Sequence, residues 1–379
     1  MIYDIAHRKR NPIITVFTIL TGQLIALLSV GVGQTSTVIQ QDLPIPFCLN
    51  ICYYFLLGIV WMLINPIFGM PPLTKPKFYF FLIIFLDTQA NCSKIFAFSS
   101  DGQLSYPFII NSCTILFSCL FTWFFIGEKY KYKLVHFIGI CLTFAGTVLT
   151  FYGALKMSKE NIWQEIKLNT IYFLFAFISS ILFSLNTTFM DMFFETGKDI
   201  YEFLPWLGIF GAILLFIEGY CLGDVAGFLK TLKAGELVFK LNSFLNLLIF
   251  LVLFCVLGTF MPFMIMRTSN FLFNLSFVSQ IFWSYIFAIM FQDGDHNNYW
   301  YYIGFVIILA GIIVFSLKDI KNHDFKKEKL KRMSSDNDNN GVIRDTLGVT
   351  KNVGEEGLIP GEEFTRKKIS IYQGRNFVN

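Results

Sequence analysis

Three polar residues inside one apolar stretch offer the clearest chemistry in this sequence. Asp87, Asn91 and Lys94 follow one another at intervals of four and three residues, so a helix places them along one face. Within a lipid bilayer, such a face marks a binding site or an ion pathway, because buried charges are costly there. Asp87 and Lys94 are about 10.5 Å apart along a helix axis. We therefore expect each side chain to find its own partner on another helix or in a water-filled cavity.

Asp87 has two interpretations, and the sequence leaves both open. The carboxylate could bind a cationic group or a coupled proton, as ionisable residues in membrane proteins often do. Alternatively, it could accept hydrogen bonds from a neighbouring helix and have a structural role.

The composition predicts that most of the chain lies in a membrane. Of the 379 residues, 55% are hydrophobic and 15% are charged, and the mean hydropathy is +0.58. A soluble chain of this length would carry more surface charge. The net charge of +4 comes from basic residues near the ends, a distribution that indicates membrane orientation rather than nucleic-acid binding.

Ten apolar runs are each close to the length of about 20 residues that crosses a bilayer. The first is too long for a signal peptide and is interpreted as an uncleaved span. Together the runs predict an all-α membrane protein with ten transmembrane helices. They cover residues 13–39, 46–68, 77–98, 103–126, 134–154, 168–192, 203–222, 243–266, 268–291 and 299–317.

A short glycine pattern occurs twice in the chain. Gly139 and Gly146 recur as Gly304 and Gly311, and the two copies are 165 residues apart. Glycines two turns apart share one face of a helix, where the missing side chain lets a second backbone approach closely. We therefore predict that these four glycines pack helices together.

Each glycine pattern closes a run of five apolar segments, which indicates a duplication. The predicted repeats are residues 13–160 and 161–317. Because five is odd, the second copy is inverted relative to the membrane, and two inverted repeats can rock about a central site. Such a pair can open alternately to either side.

The Lys and Arg residues predict the orientation of the chain. Arg8 to Arg10 and the basic run from Lys318 to Arg332 flank the apolar region on one side, and the positive-inside rule places that side in the cytoplasm. We therefore expect residues 1–12 to form a cytoplasmic N-terminus. Residues 318–379 are polar and are expected to form a disordered cytoplasmic tail.

Uncharged polar residues on two further helices extend the candidate path. Asn111 lies on the fourth predicted helix, and Asn274 and Gln280 lie on the ninth. These helices hold equivalent places in the two predicted repeats, so we expect their amides to line one cavity with Asp87, Asn91 and Lys94. No Gly-rich phosphate loop or catalytic constellation is found, and the histidines are isolated. The sequence therefore predicts no enzyme activity, no cofactor and no metal site.

The chain resembles the F subfamily of solute carrier family 35, in the drug/metabolite transporter superfamily, over residues 14–317. The resemblance implies ten helices and alternating access. Asn111 and Gln280 stand where many relatives carry carboxylates, so family substrate preferences do not transfer directly. The residues that carry the resemblance are Gly22-Gln23, Asp87-Thr88-Gln89-Ala90-Asn91, Trp123-Phe124, His136-Phe137-Ile138-Gly139, Phe260-Met261-Pro262, Thr268-Ser269 and Asn274-Leu275.

We expect a secondary transporter that moves a small organic solute, neutral or weakly charged, by alternating access. One alternative is a Golgi or endoplasmic-reticulum nucleotide-sugar antiporter, which would need several basic cavity residues to meet phosphates. Another is a non-transporting receptor or scaffold with the same fold. The expected partners are a small-molecule substrate and the lipid bilayer, without nucleic acid. A homodimer and the choice between plasma membrane and endomembrane stay open.

Overall fold

The computed structural model describes residues 12–42, 45–67, 78–99, 105–127, 133–157, 162–195, 200–233, 241–267, 270–291 and 299–316. These residues form helices joined by short turns, as the composition predicts. The expected cytoplasmic N-terminus, apart from Pro12, and the expected tail lie outside the described residues.

Thirteen helices occur in the described part of the chain. The first six are α1 (Pro12–Asp42), α2 (Pro46–Ile67), α3 (Phe78–Ala97), α4 (Ser105–Asn111), α5 (Thr114–Ile126) and α6 (Leu134–Met157). The others are α7 (Ile162–Glu195), α8 (Ile200–Cys221), α9 (Asp224–Lys233), α10 (Leu241–Arg267), α11 (Asn270–Phe277), α12 (Gln280–Phe291) and α13 (Tyr299–Ser316).

Within the ranges that the structure describes, eight helical stretches are long and apolar enough to cross a membrane. They lie in α1, α2, α3, the α4–α5 pair, α6, α7, α8 and α10, and each matches one of the predicted apolar runs. The apolar part of α13 is shorter, and the ninth predicted run forms the two short helices α11 and α12. A membrane protein with several spans is therefore confirmed, whereas the full count of ten stays a prediction.

Two predicted helices are interrupted by a turn. The fourth breaks at Ser112 and Cys113, and the ninth breaks at Val278 and Ser279. At the first break the Ser112 hydroxyl donates to the Ile109 carbonyl over 2.6 Å, a local bond that competes with regular helix bonding. Hydropathy alone predicted continuous helices, because a two-residue turn leaves the apolar run unchanged.

The predicted glycines lie where α6 and α13 cross. Gly139 faces Gly311, and Gly146 faces Gly304, so the two helices run antiparallel. A Cβ atom built on Gly139 would lie 2.8 Å from the Gly311 carbonyl oxygen, and one on Gly146 would lie 2.7 Å from that of Gly304. Any side chain here would force the backbones apart.

Other long helices also pack in pairs. Within the described residues α2 lies against α8, α3 against α7 and α1 against α10. The α2–α8 pair is antiparallel, with Gly58 against Gly208 and the Asn65 amide donating to the Tyr201 carbonyl. The interior between these helices is rich in aromatic rings, for example Tyr53 stacked on Phe254 with centroids 3.7 Å apart.

We predict that Gly146→Ala lowers the thermal unfolding midpoint of the purified protein. The added methyl group would overlap the backbone of α13, and overpacking of this kind typically costs about 1–3 kcal/mol. The matched control is Gly227→Ala on α9, where a Cβ atom meets nothing within 4 Å. Alanine favours a helix over glycine, so this variant should not be less stable than the parent. Equal midpoints for the two variants would contradict the close crossing.

Candidate functional site

A narrow cavity, in which water-sized molecules can occupy about 20 Å³, lies between helices that precede residue 160 and helices that follow it. Three of its residues come from α3, namely Asp87, Asn91 and Lys94. The other contributions come from α2, α7, α8, α10 and α11, and most are apolar. The lining is completed by Tyr53, Phe183, Leu207, Phe254, Leu257, Gly258, Met261, Pro262 and Phe277.

The carboxylate of Asp87 is 2% exposed and accepts hydrogen bonds from three side chains. Its Oδ2 atom accepts from the Tyr54 hydroxyl at 2.5 Å and from Asn91 Nδ2 at 3.3 Å, and its Oδ1 atom accepts from Asn186 Nδ2 at 2.7 Å. Asn91 also donates to the Tyr54 oxygen over 2.8 Å. These bonds tie α2, α3 and α7 together at one point.

These contacts bear on the two interpretations of Asp87. Its partners are on other helices and within its own next turn, as the separation from Lys94 led us to expect. A carboxylate has room for about four hydrogen-bond donors, and three are supplied by the protein itself. These bonds fit the structural alternative, and the carboxylate also lines the cavity, so both interpretations stay predictions.

Lys94 lies one further turn along α3 and is 8% exposed. Its ammonium donates to the Ser29 hydroxyl of α1 over 2.9 Å. Three phenyl rings surround it, with centroids between 5.2 and 6.0 Å from Nζ, and they belong to Phe98, Phe108 and Phe277. Ring faces attract a cation but replace a counter-ion only in part.

Gln280 lies behind Lys94 rather than in the cavity wall. Its Oε1 atom accepts from the Ser29 hydroxyl over 3.3 Å. Its Nε2 atom is buried and has no hydrogen-bond partner in the described part of the protein. Lys94, Ser29 and Gln280 therefore form a chain of polar groups that links α3, α1 and α12.

A second polar network joins the ends of α5, α7 and α11. We call it the Asn270 cluster and define it as Asn270, Asn274, Ser118, Thr122, Thr187, Thr188 and Asp191. Asn274 Nδ2 contacts Ser118 at 3.0 Å and Thr187 at 3.3 Å, and Asn270 Nδ2 contacts Thr188 at 2.8 Å and Thr122 at 3.4 Å. The backbone amide of Asn270 donates to Asp191 over 3.3 Å.

Asn111 belongs to neither network. Its Oδ1 atom accepts from Thr114 and from Ser180, each over 3.3 Å, which links the break between α4 and α5 to α7. The structure thus brings Asp87, Asn91 and Lys94 together in the cavity wall. Gln280 lies outside the described lining and reaches Lys94 only through Ser29. Asn111 and Asn274 make hydrogen bonds elsewhere, to Ser180 and Ser118 respectively. Their position on a transport path stays a prediction.

Several residues of the site carry no clear signal in the sequence. Tyr53, Phe183 and Phe254 belong to a chain in which 18% of residues are aromatic, so their type alone does not distinguish them from packing residues. Ser29 and Tyr54 become significant only through their contacts with Lys94 and Asp87. Asn186 does carry a signal in the sequence, because an amide within an apolar run needs a hydrogen-bond partner.

The long apolar helices of the described residues define an integral membrane protein with several spans. The chain belongs to solute carrier family 35, since the family model described as SLC35F: Solute carrier family 35 matches residues 10–317. This confirms the resemblance found in the sequence. Membership places the chain among transporters of the drug/metabolite superfamily.

The fold is also found in another protein of known structure. A protein whose crystal structure is known aligns with a TM-score of 0.57 and 15% sequence identity, covering 80% of this chain and 97% of its own. At this identity the likeness establishes a common fold and nothing about substrates.

We predict that Tyr54→Phe destabilises the protein by about 1.5–3 kcal/mol, the usual range for a hydrogen bond to a charged group. Tyr53→Phe is the matched control, because the neighbouring ring has no such bond to Asp87 and keeps its stacking on Phe254. The measurement is the thermal unfolding of both variants, alone and combined with Asp87→Asn. Tyr54→Phe should cost clearly less in the Asp87→Asn background. Additive effects would show that the two groups do not interact.

Proposed function

We propose that the protein is a secondary transporter that moves a small organic solute across the membrane by alternating access. The observation that carries this proposal is the cavity that contains a buried carboxylate and a buried ammonium between helices from both parts of the chain. Structural packing alone rarely keeps two ionisable groups at membrane depth. We propose Asp87, Asn91 and Lys94 as the residues that line the path.

The helix contacts support two inverted five-helix repeats within ten spans. In this scheme α1 to α3 correspond to α7, α8 and α10, the α4–α5 pair corresponds to the α11–α12 pair, and α6 corresponds to α13. The contact of α3 with α7 then corresponds to that of α10 with α1, and the contacts of α4 and α5 with α7 correspond to those of α11 and α12 with α1. The two remaining pairs, α2–α8 and α6–α13, would each lie across the symmetry axis.

Two further features fit the same axis. The breaks at Ser112 and Val278 are 166 residues apart, close to the spacing of the glycine repeat. The glycines of one copy face those of the other in reverse order, Gly139 on Gly311 and Gly146 on Gly304. Reverse order is what an axis in the membrane plane predicts.

The Asn270 cluster is suited to close one end of the path. It joins α5 of the first repeat to α7 and α11 of the second. Most of its hydrogen bonds join uncharged groups, and one is accepted by the Asp191 carboxylate. Such bonds average about 0.6 kcal/mol in membrane proteins, so a rocking movement can break and reform them. With both termini in the cytoplasm, as the charges predict, this end faces the cytoplasm.

The cavity favours a small solute with little charge over a nucleotide sugar. Phosphate groups are usually held by several basic side chains, and Lys94 is the basic residue in the described lining. The Arg267 side chain lies outside the described residues. A receptor or scaffold would signal through residues 318–379, which also lie outside the described residues.

The proposal predicts that purified protein in proteoliposomes accumulates selected members of a mixed metabolite pool. Asp87→Asn and Lys94→Gln should each reduce that uptake at least tenfold, because both side chains line the path. Lys156→Gln is the matched control, since this exposed lysine stacks on Tyr152 at the end of α6, away from the cavity lining. No accumulation by folded wild-type protein, over a pool with nucleosides, amines and organic acids, would contradict the proposal.

A disulfide across the Asn270 cluster should arrest transport reversibly. Asn274 Nδ2 lies 3.0 Å from Ser118 Oγ, so the double variant Asn274→Cys/Ser118→Cys brings two thiols close together, and formation of the disulfide is verified by mass spectrometry before uptake is measured. Uptake should stop after oxidation and return after reduction, while each single variant keeps its activity under both conditions. Unchanged uptake by protein with the disulfide formed would show that this end does not open.

A further inference from the structure

The two ionisable groups of the cavity differ sharply in how well the protein satisfies them. Asp87 accepts from three donors, and two of these come from other helices. Among the described residues, Lys94 has a single hydrogen-bond acceptor, the Ser29 hydroxyl. Because an ammonium has three N–H donors, two of them remain available. The charge of Lys94 is also uncompensated, since no carboxylate of the described residues forms an ion pair with it.

The described groups packed around Lys94 come from three helices and from the turn that follows α3. Ser29 of α1 accepts a hydrogen bond, and rings approach from Phe98 just after α3, Phe108 of α4 and Phe277 of α11. None of these carries a negative charge. A buried ammonium needs a counter-charge or good acceptors, and aromatic faces provide only part of that compensation.

A second unsatisfied donor lies close to Lys94. Gln280 shares the Ser29 hydroxyl with Lys94, is fully buried, and its Nε2 atom has no partner within the described structure. Two polar donors with spare capacity are therefore connected through one hydroxyl. Natural proteins seldom leave buried donors unused, so the arrangement is suited to bind an acceptor supplied by a ligand.

The rest of the cavity lining indicates what kind of ligand skeleton could bind beside Lys94. The rings of Tyr53, Phe183, Phe254 and Phe277 and the side chains of Leu207, Leu257 and Met261 line it. Such walls suit an apolar or aromatic skeleton, with a few polar groups to orient it. Asp87 has little remaining capacity for a cationic group, because its acceptor sites are mostly occupied.

We propose that the transported solute is a small organic monoanion, a carboxylate on an apolar or aromatic skeleton, whose carboxylate accepts hydrogen bonds from Lys94. The inference rests on the proposed transport function and specifies the substrate class of the same cavity. A single negative charge matches the one cation in the described part of the lining, whereas a nucleotide diphosphate would bring several charges to one ammonium. The solute completes the contacts of Lys94 when it enters and leaves them incomplete when it departs.

The test measures ligand-induced shifts in the thermal unfolding midpoint of the full-length protein in lipid nanodiscs. The probes are benzoate, phenylacetate and hexanoate, each compared with the amide and the amine of the same skeleton. Wild-type protein should be stabilised by carboxylates more than by their amides or amines. Lys94→Met should weaken carboxylate binding at least tenfold, and Lys94→Arg should retain the preference. The control variant Lys156→Met should behave as wild type.

Three outcomes would overturn the inference. They are stronger stabilisation by amides or amines, the same carboxylate preference in wild type and Lys94→Met, and no Lys94-dependent shift with any carboxylate of the panel. The unfolding midpoint of each variant without ligand shows whether it folds, and Lys94→Arg keeps the test valid if Lys94→Met does not. Uptake of amines or amides, rather than carboxylates, by wild-type proteoliposomes would support the transporter proposal but contradict the proposal that the solute is an anion. Absence of all uptake would instead remove the transporter proposal.

Discussion

An ionised side chain taken out of water must be met by partners, and in a membrane those partners come from other helices. This constraint determines how α3 lies in the protein. Asp87 is held by Tyr54 of α2 and Asn186 of α7, and Lys94 contacts Ser29 of α1. Helix α3, which carries both buried charges, is therefore surrounded by helices that supply hydrogen bonds, and the cavity lies along α3.

The close helix crossings and the polar contacts differ in how easily they can change. At the α6–α13 crossing, glycines bring two backbones into direct contact, so a shift of one helix along the other would meet steric resistance. The Asn270 cluster consists of short polar side chains whose bonds are individually weak and can exchange partners. In the proposed rocking movement, the helix pairs stay in contact at the glycine crossings. The hydrogen bonds of the Asn270 cluster break, so that its helices separate.

Much of the architecture could be predicted because hydropathy and helical periodicity are local properties. The apolar runs predicted the membrane helices, the spacing of Asp87, Asn91 and Lys94 predicted their common face, and the repeated glycines indicated where α6 and α13 could approach. The partners of the charged residues could not be predicted in this way. Tyr54 and Ser29 are ordinary residues in their own helices, and only the packing of distant segments brings them to Asp87 and Lys94.

The two helix breaks and the separation of the amides show the same limit. A turn at Ser112 depends on a side chain bonding to its own backbone, and the apolar pattern continues through it. Asn111, Asn274 and Gln280 were expected in one cavity because their helices hold equivalent places. The direction of each side chain depends on these breaks, however, and the amides make separate contacts in the structure.

The central claim is that the cavity forms part of a path that water can reach from each side of the membrane in turn. The most direct measurement is the labelling of Leu207→Cys, a cavity residue on α8, by a membrane-impermeant thiol reagent added to either face of sealed proteoliposomes. Ile213→Cys on the same helix is half exposed on the outer surface and serves as the lipid-facing control. The account predicts labelling of residue 207 from both faces and of residue 213 from neither, with modified peptides identified by mass spectrometry. Labelling of residue 207 from neither face, or from one face only, would contradict it.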